Sequence, residues 1–142
     1  MGLDEKRVNV AYALQMAHEH YSKETYDHVL RVMQYVADND MIPYEYKDDC
    51  VVLAIMHDLI EDTKYTGAGL PDNIYNALKL LSKPKDMDYI EYIKQIKHTS
   101  FTNWRMCAYW VKLADMKDHL AQTETLTDKL KEKYLAALPY LL

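Results

Sequence analysis

Apolar residues in this chain recur at intervals of three and four and show no strand-like alternation. Val29, Val32, Met33 and Val36 form one such stripe, predicting a helix from Tyr26 to about Asp38 with Thr25 as its N-cap. Before it, Val8, Tyr12, Leu14, Met16 and Ala17 predict a first helix over residues 4–20, and Tyr21 to Glu24 reads as a connector. Pro43 opens a third segment that runs to about Ile60. Its middle, Cys50 to Met56, carries almost no polar residue, as in a helix buried all round. Thr63 to Leu70, with Gly67 and Gly69, reads as a loop. Pro71-Asp72 starts a fourth helix ending near Leu81, and Ser82-Lys83-Pro84-Lys85 breaks the chain again. A fifth helix spans 88–97, with Tyr89, Ile90, Ile93 and Ile96 inward. Thr102 or Asn103 caps a sixth that runs through Leu120, and a seventh runs from about Thr127 to near Pro139. The pattern predicts an all-α, single-domain helical bundle of about seven helices over residues 1–142.

Composition narrows the function classes. Only 3 Gly and 4 Pro in 142 residues leave few turns. The net charge of −5 gives no electrostatic case for nucleic-acid binding, although a small anionic substrate stays compatible. No run is long and apolar enough for a membrane span. The charged start, Met1 to Arg7, lacks the apolar core of a secretory leader, and Lys6 stands where a myristoylation signal needs Ser or Thr. The expectation is a soluble, cytoplasmic protein whose cysteines, Cys50 and Cys107, are free buried thiols. Thirteen tyrosines stand against one phenylalanine. Most are expected to pack the ring inward and leave the hydroxyl at the surface.

The chemistry concentrates where the apolar third segment ends. His57, Asp58, Glu61 and Asp62 fall within six positions. If the helix continues, His57 stacks on Glu61 and Asp58 on Asp62. His28 lies in the second helix, and Asp115 ends another apolar run, Tyr109 to Ala114. Taken singly, His28 reads as a hydrogen-bonded structural residue and Asp115 as an ion-pair partner of Lys112. Together, His28, His57, Asp58 and Asp115 offer two imidazoles and two carboxylates without a thiolate. That donor set suits an octahedral Mn²⁺, Fe²⁺, Co²⁺ or Mg²⁺ centre with open positions rather than structural zinc. Such a centre acidifies water for attack on phosphorus. Glu61 and Asp62, one turn on, are placed to orient that water, take its proton or protonate a leaving oxygen. The alternative, a solvated helix end, sits badly with the macrodipole. Arg31 and Lys112 are candidate phosphate contacts or salt-bridge residues, and His119 lies one turn after Asp115. Trp104 shares a core stripe with Cys107 and Val111. His18, His20 and His98 carry no assigned role.

These residues resemble a known family. His28, His57-Asp58 and Asp115 match the H…HD…D signature of HD-domain metal-dependent phosphohydrolases. His57 to Thr63 is similar to the HDxxEDT motif of the (p)ppGpp hydrolase domain of RelA/SpoT homologues and small alarmone hydrolases. Val111-Lys112-Leu113-Ala114-Asp115 resembles that family's VKLAD segment, and Ala17-His18 and Leu81-Ser82-Lys83 also look like family positions. The resemblance covers about residues 10–120. It implies the HD-domain fold and one metal ion, usually Mn²⁺, on His28, His57, Asp58 and Asp115. It also implies Glu61 and Asp62 as the catalytic pair, with Lys23 facing substrate phosphates. The implied reaction removes the 3′-pyrophosphate of (p)ppGpp. The chain departs from the family at Met116, where Arg or Lys is usual, at His119 in place of Asn, and at Val29 in place of Pro. The loop between Lys23 and His28 is short, and the usual Phe-Gly is missing around Gly67 to Ile74. The departures sit where substrate would be read. Another HD nucleotidase, a nucleoside triphosphate hydrolase or a non-catalytic nucleotide-binding HD protein therefore stay open as alternatives.

Overall fold

Side chains that accept the first free amides of a helix fix where three of the helices begin. In the computed structural model, which describes residues 8–98 and 103–142, Asn9 accepts from the Tyr12 N–H at 2.9 Å and opens α1, Val10–His20. Ser22 accepts from the Thr25 N–H at 3.2 Å and opens α2, Lys23–Ala37. Thr127 accepts from the Leu130 N–H at 3.2 Å and opens α8, Asp128–Leu141. Between them lie a 3₁₀ turn at Tyr44–Tyr46, α3 (Lys47–Met56), α4 (Leu59–Asp62), α5 (Asp72–Leu81), α6 (Tyr89–His98) and α7 (Asn103–Ala121). Regular structure among the described residues is entirely helical, so the chain is an all-α bundle. No helix among them is long and apolar enough to cross a membrane.

Several predicted boundaries move. The first helix starts at Val10, and residues 4–7 of the expected span lie outside the described residues. Thr25 sits in the first turn of α2, because Ser22 takes the cap and shortens the connector. Thr102 lies outside the described residues. The last helix passes Pro139 and ends at Leu141. Proline removes one intrahelical bond there, but Ala137 and Leu141 on either side are fully buried and hold the final turn against the bundle.

α3 is the central element and packs against α1, α2, α5 and α7. Leu53, Ala54, Ile55 and Met56 are all sealed from solvent, which accounts for the apolar run. Its start is fixed by Lys47, whose ammonium donates to the Val36, Ala37 and Asn39 carbonyls at the end of α2. In the loop after α4, Gly67 holds φ +78°, and a Cβ there would meet the Tyr75 ring at 3.0 Å. Cys50 and Cys107 are buried and unbridged. Trp104 is only half-buried at the core edge, with the Arg105 guanidinium over its ring.

The tyrosines do not all behave as expected. Tyr44 lies open to solvent, but several others use buried or half-buried hydroxyls as ties. The Tyr12 and Tyr65 hydroxyls meet at 2.8 Å, Tyr92 donates to the Leu81 carbonyl, and Tyr21 donates to the Ile55 carbonyl at 2.9 Å. The last of these changes the fold. The expected helix through Ile60 is interrupted at His57-Asp58. The Ala54 carbonyl accepts from His57 Nδ1 at 2.7 Å, and the Asp58 N–H donates to the Tyr21 hydroxyl at 3.2 Å. Two carbonyls and one amide have thus left the helical ladder, and a hydroxyl inserted into a ladder kinks the helix. The chain resumes as α4, with the Asp62 N–H on the Asp58 carbonyl at 2.9 Å.

Tyr21→Phe leaves the Asp58 amide and the Ile55 carbonyl without this partner. Urea unfolding should show a loss of about 1–3 kcal/mol. An unchanged midpoint would show that Tyr21 does not hold the kink.

Candidate metal centre

Three segments far apart in the chain deliver the site. α2 brings His28, the kink after α3 brings His57 and Asp58, and α7 brings Asp115. His28, His57 and Asp115 are buried and Asp58 is half-buried. One donor atom from each lies within 4.8 Å of all the others, so one ion can touch all four. Asp115 Oδ1 stands 2.8 Å from His28 Nε2 and 3.2 Å from His57 Nε2, and Asp58 Oδ2 stands 3.2 Å from His57 Nε2.

The second nitrogen of each imidazole is already committed. His57 Nδ1–H donates to the Ala54 carbonyl, an acceptor only, which leaves Nε2 with its lone pair in the neutral ring. His28 Nδ1 lies 2.6 Å from Asp118 Oδ2. Asp118 is fully buried and held in turn by a forked pair from Arg31, at 2.8 Å from Nε and 3.1 Å from Nη2. A carboxylate behind an imidazole fixes the ring and raises its basicity toward a metal. Two neutral Nε2 lone pairs aimed at one carboxylate oxygen repel unless a proton or a cation lies between them. The donor set therefore fits a divalent ion.

Titration follows the same logic. Burial would lower His57, but Asp58 and Asp115 more than offset it and push it up to about 9 from its ordinary 6.5. His28 is also raised, with Asp115 and Asp118 outweighing burial. Burial likewise opposes charge on Asp115, yet Lys112 at 2.9 Å and the imidazoles hold it well below the usual carboxylate range.

For a group whose folded pKa is raised, the stabilisation is complete below the unfolded value and disappears as pH rises through the folded one. Metal-free protein should therefore lose stability between about pH 6.5 and 9, on the order of 3 kcal/mol from His57. Mn²⁺ should suppress that loss, since its binding releases the protons. Urea unfolding across this range checks it, and a metal-free protein equally stable at both ends would contradict it.

No protein-family model matches this chain, and no curated protein is significantly similar to it. Its chemistry has to be read from the donors and the cleft in front of them.

That cleft holds about 730 Å³. His28, Asp58 and Asp115 form its floor, with Glu61 and Asp62 from α4 beside them. Both acids are pushed up by burial and then by a neighbouring carboxylate, Asp62 for Glu61 and Asp58 for Asp62. The Glu61 carboxylate also accepts from the Lys83 N–H at 3.2 Å. The helix break places these acids on α4, separated by the kink from the helix that ends before His57.

The proposed substrate contacts fare differently. His119 lines the cleft, stacked on Tyr134 with ring centroids 4.9 Å apart and 3.2 Å from Asp115 Oδ1. Lys112 lines it too, but its ammonium is spent on Asp115. Arg31 borders it while gripping Asp118, so its first role is to position His28. Lys23 is exposed at the start of α2 and does not line the cleft, where Glu24 and Thr25 stand instead. Met116 is fully buried. His18, His20 and His98 lie outside the cleft.

Sequence reasoning missed Asp118, Tyr21 and the α8 wall. Asp118 did leave a trace: His28/Arg31 and Asp115/Asp118 share a three-residue spacing, which pairs the two helices rung by rung.

Proposed function

We propose that this chain is a metal-dependent phosphohydrolase acting on a nucleotide, with (p)ppGpp as the first candidate substrate. The observation that carries the reading is the convergence of His28, His57, Asp58 and Asp115 on one point, with His28, Asp58 and Asp115 lining an open cleft. Mn²⁺ is the first candidate ion, ahead of Fe²⁺, Co²⁺ and Mg²⁺, because the donors are nitrogen and oxygen without sulfur. Bound there, the ion would supply a Lewis acid for water and for a phosphoryl oxygen.

The chain's own groups complete the chemistry. Lys112 keeps Asp115 ionised as a ligand. Asp118 and the Ala54 carbonyl hold the two imidazoles with Nε2 forward. Glu61 and Asp62, whose proton affinities are raised, can take a proton from attacking water and return one to the leaving oxygen. The unbridged Cys50 and Cys107 fit a reducing compartment such as the cytoplasm.

Purified protein given Mn²⁺ and ppGpp should release pyrophosphate. A nucleotide panel separates this activity from its relatives by product: pyrophosphate from the 3′ side, inorganic phosphate, or triphosphate. His119, lying on the cleft wall against Asp115, favours a second reading, an HD nucleotidase with a different nucleotide preference. No turnover of any nucleotide with Mn²⁺, Co²⁺ or Fe²⁺ would leave only a non-catalytic binding role.

A further inference from the structure

The wall of the cleft built by α6 and α8 carries a lysine that makes no ion pair among the described residues. Lys133 Nζ sits 4.4 Å from the centre of the Tyr89 ring and 5.7 Å from that of Tyr134. Among the described residues, no carboxylate lies within ion-pair distance of it. Lys83, on the same cleft, donates its ammonium to the Pro84 and Met87 carbonyls at 3.0 and 2.9 Å, which fixes the charge without cancelling it. Burial and then the nearby charges of Lys112 and Lys83 lower Lys133, as expected where cations crowd. Beside them the Tyr89 hydroxyl is buried without a hydrogen-bond partner. A buried hydroxyl without a partner is costly unless a ligand supplies an oxygen atom. An anion with several charged oxygens offers acceptors to the Lys133 ammonium and the Tyr89 hydroxyl together, which an uncharged nucleoside does not.

We propose that Lys133 and Tyr89, with Lys83 beside them, form a subsite for the pyrophosphoryl group of a substrate or product on the α6–α8 wall. The subsite rests on the hydrolase reading for its place in a reaction, but not for its binding chemistry. Lys133 reaches the anion with its flexible ammonium, and the Tyr89 hydroxyl donates to one of its oxygens. Glu61 lines the same cleft.

Inorganic pyrophosphate titrated calorimetrically into metal-free protein at low ionic strength tests the subsite without turnover. The wild-type chain should bind it. Lys133→Ala should weaken binding about tenfold, the loss of one charge-assisted hydrogen bond, and Tyr89→Phe should weaken it several-fold. Lys131→Ala, exposed on the same helix, should leave it unchanged. Lys133 is itself exposed, so its replacement leaves the fold intact. Wild-type protein that ignores pyrophosphate, or a Lys133→Ala variant that binds it equally well, would overturn the proposal. The two readings fail separately. Without Mn²⁺-dependent turnover but with Lys133-dependent binding, the hydrolase reading falls and the subsite stands. With turnover but Lys133-independent binding, the subsite falls and the hydrolase reading stands.

Discussion

Asp115→Asn is expected to lower kcat/KM with Mn²⁺ by at least about a thousandfold, the scale seen when a principal electrostatic group leaves an active site. Asp115 is nearly sealed from solvent and meets His28, His57, His119 and Lys112. The amide removes the charge that a divalent ion would need, and it also strands Lys112 in the interior. Breaking a buried pair from one side costs about 3–5 kcal/mol, so urea unfolding of this variant should shift strongly as well. Asp58→Asn separates the two effects. Asp58 has no lysine partner among the described ion pairs and is half-buried, so its amide should weaken Mn²⁺ binding and cost the metal-free fold only its share of the His57 stabilisation, less than Asp115→Asn. Full Mn²⁺-dependent activity in either variant would remove that residue from the centre.

The second large effect is expected at Asp62. Asp62→Asn should lower kcat by about a hundredfold to ten-thousandfold, the range for loss of a positioned acid or base, while Mn²⁺ affinity stays near that of the unaltered chain. Asp62 lines the cleft beside Asp58 and lies outside the four-donor cluster. Its proton affinity is raised by burial and by Asp58, the direction that favours a group able to hold and pass on a proton. Activity and metal binding measured on one preparation decide the matter. Unchanged kcat would free Asp62 from any catalytic part, and lost Mn²⁺ affinity would reassign it as a ligand.

How much of this was legible in the sequence depended on whether a signal was local. Pro71-Asp72 and Thr127 announced α5 and α8 because a helix start is decided by a proline or a cap within one turn. The charged residues that end apolar runs, His57-Asp58 and Asp115, stood out because a buried helix has no other use for them. The structure brings both together with His28. Ser22 and Thr25 are equivalent caps by composition, and only the path of the backbone into α2 chose Ser22.

Contacts made across the fold left no such mark. Nothing near Tyr21 in the chain shows that its hydroxyl will open the ladder 34 residues later, at Ile55. The kink it supports was therefore read as a continuous helix. Asp118 looks like one more acid on a helix until Arg31 and His28 close around it. The lysine wall draws on Lys83 and Lys133 from opposite sides of α6 and α7 in sequence, and no periodicity links them.

One divalent ion is expected to bind where α2, the α3–α4 kink and α7 meet. A crystal of the protein grown with Mn²⁺, with diffraction recorded at the manganese absorption edge, addresses it directly. A single anomalous peak is expected within coordination distance of His28 Nε2, His57 Nε2 and carboxylate oxygens of Asp58 and Asp115. A peak elsewhere, or no peak at saturating Mn²⁺, would contradict it.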